Sequence, residues 1–503
     1  MATPRFDPKR RRMVTVALVL VTALASFEST VVSTAMPTII GDLGGLPLYS
    51  WVFSIYLLTA TVMMPIYGRL ADIYGRRRIL LVAITVFLTG AVACGLARSM
   101  PQLIAARGLQ GLGAAGLVPI ALTVSGDLYS LEERARVQGI FSSVWGTASL
   151  VGPLLGAWMT MSFGWRSIFT INIPLGIVAF TLVATQMIES RSPLPDPLDL
   201  AGAATLAAGV TTLLFAVLHR PGTATMSPAP RLALLATAVT SLALFVRLQL
   251  KREHPLIPPL LFRHMRTAAP YIGGVLLGTT IFGVDTFVPL FVQGARGGTA
   301  GAAGAVVTPL VFFWAISATA AARLIVRFGF RRTARWGAIL ILAGLVALVA
   351  AAFWNASVPW ISAACAIVGA GLGPSSMSQV LAIQNGVAER ERGVATSLVP
   401  FFRAIGGSIG VGALGGLLAA GLDRRLGPAA ETAGRLLASG GEAGGAGAVA
   451  PAAFRVAIEH SLIPVFGILV GLAVFNLFVA ARFPERAAET EELDVEEISF
   501  SFD

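Results

Sequence analysis

Charge is scarce in this chain. Asp, Glu, Lys and Arg make up 13% of its 503 residues, whereas soluble domains carry about 25%, so an ordinary soluble fold is excluded. Lysine is nearly absent, with only Lys9 and Lys251, so the basic character rests on arginine. Cysteine occurs twice, at Cys94 and Cys365, both inside apolar stretches. That excludes a disulfide framework or a thiolate metal site and leaves two small apolar residues. The four histidines, His219, His254, His264 and His460, are scattered, so they form no metal or catalytic cluster. No Gly-Lys-Ser/Thr phosphate loop is present, which removes ATP as a driver. No cleavable leader is expected either: the first apolar stretch, from Met13, is long enough to span a membrane.

What is abundant is hydrophobic sequence, at 55% with mean hydropathy +0.78. Windows of about 20 apolar residues predict an all-α integral membrane protein with fourteen spans: 13–36, 50–67, 79–97, 102–125, 137–161, 167–188, 198–218, 232–250, 268–292, 302–325, 334–353, 360–383, 394–420 and 458–481. The net charge of +11 would suggest nucleic acid in a soluble protein. Here the arginines sit in short loops between spans and report orientation instead. Starting Lys9-Arg10-Arg11-Arg12 in the cytoplasm places most Lys and Arg on that side. Both termini are then cytoplasmic, in the inner membrane of the cell. Residues 1–12 form a cytoplasmic segment, 427–449 a flexible outer loop, and 484–503 an acidic, disordered tail.

Two carboxylates, Glu28 and Asp285, lie well inside predicted spans. Each costs roughly 3 kcal/mol to place there, which makes it functional by default. They are also related by an internal repeat. Arg69-Leu70 and Tyr74-Gly75-Arg76-Arg77-Arg78 match Arg323-Leu324 and Phe328-Gly329-Phe330-Arg331-Arg332. Gly111-Leu112-Gly113 matches Gly369-Ala370-Gly371, and Glu132-Glu133-Arg134 matches Arg390-Glu391-Arg392, all at offsets of 254 to 258 residues. Phe27-Glu28-Ser29 and Val284-Asp285-Thr286 share that offset. Two six-helix bundles, 13–190 and 267–483, are therefore related by duplication, with an extra two-helix hairpin in 191–266. Protonatable groups at equivalent depth in such a repeat point to an ion-coupled transporter.

Four stretches carry a family resemblance. Gly68 to Arg78 resembles the hallmark loop of the major facilitator superfamily. Phe27-Glu28-Ser29-Thr30-Val31-Val32-Ser33-Thr34-Ala35-Met36-Pro37 resembles the first-span motif of its fourteen-span drug:proton antiporters, with Glu in place of the usual Asp. Arg107 to Ala114 resembles the fourth-span basic motif, and Gly152-Pro153-Leu154-Leu155-Gly156 the fifth-span antiporter motif. Phe402-Arg403-Ala404-Ile405-Gly406-Gly407-Ser408 is similar to a further family stretch. The resemblance implies the major facilitator fold with two extra central helices. It also implies a monomeric exporter of small amphipathic, cationic compounds, driven by protons across the lipid bilayer with no cofactor. An exporter of a lipid or secreted metabolite is the alternative on the same scaffold. A membrane enzyme or receptor is the alternative of another class, and nucleic acid is not a partner.

Roles follow from resemblance and residue chemistry together. Glu28, Asp285 and Arg107 are candidates for proton coupling, against a static ion pair that fixes packing. Gly68, Arg69, Asp72, Gly75 and Arg76 form a candidate conformational latch, Asp72 facing the helix start near Arg392 and Gly393, where negative charge is favoured. Their other reading is a topology signal made of arginines. Gly146, Gly152, Pro153 and Gly156 give a small, kinkable helix face. Phe27, Trp51, Tyr56, Phe282, Phe287 and Phe291 are candidates for an apolar cavity wall. Ser375, Gln379 and Arg403 are candidates for its polar part, Arg403 either binding an anionic group or capping carbonyls.

Overall fold

The computed structural model describes residues 7–44, 48–189, 197–218, 228–298, 300–354, 356–426 and 452–485. The expected outer loop 427–449 and all of the acidic tail beyond Glu485 lie outside these residues. Among the described residues, thirteen helices are long and apolar enough to cross a membrane. In the first half they are α1 (Pro8–Leu43), α2 (Tyr49–Tyr74), α3 (Arg76–Leu96), α4 (Met100–Leu128), α5 (Leu131–Phe163) and α6 (Asn172–Gln186), the last preceded by the short helix Ser167–Thr170. The hairpin is α7 (Leu200–Leu218) and α8 (Pro228–Gln249). The second half holds α9 (Met265–Leu290), α10 (Ala300–Phe353), α11 (Val358–Gly386), α12 (Arg392–Leu426) and α13 (Ala452–Ala480).

Helix α10 contains 54 residues, about 80 Å at 1.5 Å per residue, far longer than one membrane crossing. It is two spans joined at Gly329, whose φ of 82° and ψ of 174° break the helix. That restores fourteen crossings. Gly75, its mate in the repeat, has φ 99° and ψ 144° between α2 and α3. The same left-handed hinge thus recurs in both halves, at a conformation that favours glycine.

One expectation changes. Residues 8–12 of the expected cytoplasmic segment are not separate from the first span, because α1 begins at Pro8, capped by Asp7, and residues 1–6 lie outside the described residues. Its arginines tie the helix start to its neighbours: Arg10 Nε donates to Gln186 O at 2.7 Å, and Arg11 pairs with Glu133 at 2.9 Å. The hairpin packs against both halves. One face of α7, at Leu206, Val210 and Leu214, is buried in a core shared with Leu58, Val62 and Ile66 of α2 and Val394, Leu398 and Phe401 of α12. The hairpin therefore covers the α2–α12 seam between the halves, and its ends are tied by Gln249 donating to Asp199 at 2.8 Å. Each half keeps its own apolar core besides.

Candidate functional site

Glycine sets the helix spacing around Glu28. Gly152 and Gly156 of α5 face Thr30, Val31 and Thr34 of α1, where a Cβ would fall 2.2–2.9 Å from their atoms. Thr30 donates back to Ala148 O at 3.2 Å. Pro153 lies between these contacts. Gly146, nearer the start of α5, meets Ala315 of α10 instead. One helix thus carries a contact within its half and a contact between halves.

Glu28 is fully buried on α1. Arg107 of α4 donates to its Oε1, and Asn172 of α6 donates to Oε2 at 2.8 Å. The guanidinium also donates to Gln110 Oε1 at 2.7 Å and Val52 O at 3.2 Å, and lies 4.2 Å above the Tyr56 ring. The structure therefore brings Glu28 and Arg107 together. Tyr56 belongs under the arginine rather than on an open wall. Asn172 and Gln110 escaped the sequence reading because a lone amide in an apolar helix gives no periodic signal.

Asp285 shares the offset of Glu28 but not its surroundings. It is exposed, while Val284, Phe287, Val288 and Phe291 beside it are buried. Among the described residues it has no hydrogen bond or ion pair. Seven residues, two helical turns, separate it from Gly278, so both lie on one face of α9. Gly278 touches the Arg403 backbone of α12. The carboxylate thus looks inward among the helices of its half.

Several expected cavity residues are packed elsewhere. Phe287 and Phe291 belong to the core of the second half, Phe291 edge-on to Phe466 at 5.8 Å. They fall on the buried stripe that runs along α9 into the π-helical turn after it, and both are buried in that core. Ser375 is buried against the second arm of α10, where a Cβ on Gly337 would lie 2.4 Å from its Oγ. Phe282 packs on Gly407, and Phe27 lies against the apolar cluster at the other end of α1. Trp51 does line an open apolar pocket of about 500 Å³, with Leu48, Ile55, Pro101, Ile104, Ala105 and Gly108. Its ring lies 5.1 Å from Phe215 of α7. Gln379 is buried and accepts from Arg403 at 3.3 Å.

The end of the molecule carrying the arginine loops is closed by contacts between the halves. Asp72 accepts the backbone N–H groups of Gly393 and Val394 at 2.9 and 2.8 Å, satisfying the first amides of α12. Gly68 permits this approach, since a Cβ would fall 2.2 Å from Ser397 Oγ. Arg69 is buried alongside. Arg76 pairs with Asp72 at 3.2 Å and Asp127 at 2.8 Å and donates to Glu389 O at 3.1 Å. Gly75 is required twice, by its φ and by the Glu189 carboxylate 2.4 Å from where its Cβ would stand. Glu189 caps α3 through the N–H groups of Arg76 and Arg77 at 2.9 and 3.1 Å.

A second layer crosses the seam. Arg392 pairs with Asp127 at 2.6 Å, and Arg134 donates to Asn385 at 3.2 Å. Arg134 and Arg392 are repeat mates, as are Asp127 and Asn385, so the same link is made twice. It is charged on one side and neutral on the other. With Val326 in the place of Asp72, both acids of the closure belong to the first half. Asp127 and Glu189 were missed in the sequence because they stand alone at helix ends. The 258-residue offset linking Asp127 to Asn385 was the available signal.

The sequence profile described as "Major Facilitator Superfamily" matches residues 18–411. The chain belongs to the major facilitator superfamily. It is 34% identical over 409 residues to "Multidrug transporter protein MdtP" of Bacillus subtilis, covering 81% of this chain and 75% of that protein. It is 33% identical over 401 residues to "Multidrug resistance protein 3" of the same organism, covering 80% and 78%. Among solved structures it resembles the proton:xylose symporter XylE, with a TM-score of 0.64 at 13% identity over 97% of this chain and all of that one. That likeness concerns the fold. This superfamily member is a multi-pass membrane transporter of small molecules, not an enzyme.

Proposed function

We infer that the chain is a proton-coupled antiporter exporting amphipathic, cationic compounds by alternating access. The observation that carries this reading is Glu28: a carboxylate sealed in the membrane region, held by Arg107 and Asn172, opposite an open and unpaired Asp285. A buried ion pair is poorly compensated unless every lone pair is satisfied, so releasing Arg107 favours protonation of Glu28. The names of the Bacillus relatives support drugs as the cargo. The arginine-rich end is assigned to the cytoplasm by the positive-inside rule, with both termini there. The structure then represents the state facing outward, locked inside by Asp72. The open pocket at Trp51 supplies apolar contact, and Asp285 supplies a carboxylate for a cation.

The test is transport in proteoliposomes of the purified chain under an imposed pH gradient. Wild type is expected to accumulate a lipophilic cation against its gradient. Glu28→Gln is expected to bind it but not to move it uphill. Uphill transport by that variant at the wild-type rate would remove Glu28 from coupling.

A further inference from the structure

Arg403 is the half-buried cation that the reading above leaves unused. Its backbone is pressed against α9, where a Cβ on Gly278 would fall 1.9 Å from Arg403 O. Its guanidinium extends to α11 and donates to Gln379 Oε1 at 3.3 Å. That is the one hydrogen bond found for its side chain among the described residues. Its Nε is shielded from solvent with no acceptor, and no described carboxylate pairs with it. A guanidinium offers five N–H donors, and a cation inside a membrane is unfavourable without partners. Arg107, by contrast, has a carboxylate, an amide, a carbonyl and an aromatic face. The repeat does not explain Arg403, because its mate in the first half is Trp145.

Position supplies the function. The Gln379 amide stands 3.0 Å from where a Cβ on Gly273 would sit, so the guanidinium lies on the arginine-loop side of the site, above the closed seam. Asp285 is twelve residues farther along α9 and also unpaired. Allowing for its tilt back toward the helix start, the charges are roughly 15 Å apart. The second half thus presents a free cation at the floor and a free carboxylate toward the open end.

Building on the export reading, we propose that Arg403 and Gln379 form a subsite for the anionic end of the cargo, and that preferred substrates are elongated zwitterions. The cationic end meets Asp285, the carboxylate meets Arg403, and the apolar body spans between. A charge-assisted hydrogen bond is stronger than a neutral one, so a terminal carboxylate should tighten binding about tenfold or more.

The experiment compares a long-chain ω-trimethylammonium fatty acid with its methyl ester, binding to the full chain in nanodiscs. Wild type is expected to bind the acid at least tenfold tighter. Arg403→Gln should abolish that preference with ester affinity unchanged, which also shows the variant is folded. Asp285→Asn should weaken both compounds. If Arg403→Gln binds neither, Arg403→Lys decides: a retained acid preference supports the subsite and equal affinities overturn it. Equal affinities in wild type, or a preference that survives Arg403→Gln, also overturn it. Chloride that tightens ester binding through Arg403 would assign the site to a free anion and overturn the substrate claim. Transport of the ester without dependence on the pH gradient would defeat the antiport reading while the subsite stood.

Discussion

Glu28 and Asp285 occupy equivalent positions in the repeat but contrasting environments, one sealed by three side chains and the other open. The difference is made by single residues. Arg107, Asn172 and Gln110 surround the first acid, and nothing comparable among the described residues surrounds the second. Gly75 shows how narrow such residue-scale requirements are. Gly75→Ala must hold a left-handed conformation, which costs about 1–2 kcal/mol, and must displace the Glu189 cap. Its thermal midpoint should fall by several degrees in a detergent melt. Gly304→Ala, in helical backbone with no atom within 4 Å of the new Cβ, should be neutral or stabilise by up to about 1 kcal/mol. Equal midpoints for both variants would contradict the strain argument. Much of this was legible in the sequence. Glu28 and Arg107 were readable as partners because charge in an apolar helix is conspicuous. Phe287 and Phe291 were misplaced, although Val284, Phe287, Val288 and Phe291 form one helical stripe that leaves Asp285 off it. The amides and the helix-end acids were silent because one polar residue at a helix end has many uses.

At the level of elements, closure rests on the start of α12 docking against the end of α2. Asp72→Asn removes the charge from two hydrogen bonds and from the Arg76 pair. Charge-assisted bonds of this kind contribute about 1.5–3 kcal/mol, so the population closed at the arginine end should fall about tenfold. Spin-label distances across that end should lengthen, and unchanged distributions would leave only a topological role for the loop. The neutral twin of the link provides the converse test. Asn385→Asp offers Arg134 the charge that Asp127 gives Arg392, and it should enrich the closed state in the same measurement. A shift toward opening would contradict the symmetry argument. The repeat that exposes this pairing was visible as a shared offset. The hairpin's place was not, because an apolar helix facing a seam and one facing lipid have the same composition. Helix α10 likewise reads as two spans, and the non-helical backbone at Gly329 is where the structure divides them.

For the molecule as a whole, composition and repeat carry the architecture of two bundles, an inserted hairpin and fourteen crossings. The proposed sidedness rests on arginine placement alone. A cysteine introduced at Gly440 should react with an impermeant reagent added outside intact cells, and labelling only after permeabilisation would reverse the orientation. The central claim is that the sealed carboxylate of the first half couples proton movement to cargo. It is tested most directly by following internal pH in proteoliposomes when a lipophilic cation is added, for wild type, Glu28→Gln, Asp285→Asn and the double variant. The account predicts substrate-driven proton movement in wild type, its loss in Glu28→Gln with cation binding retained, and weakened cation binding in Asp285→Asn. Substrate-driven proton movement at the wild-type rate in the double variant would contradict it.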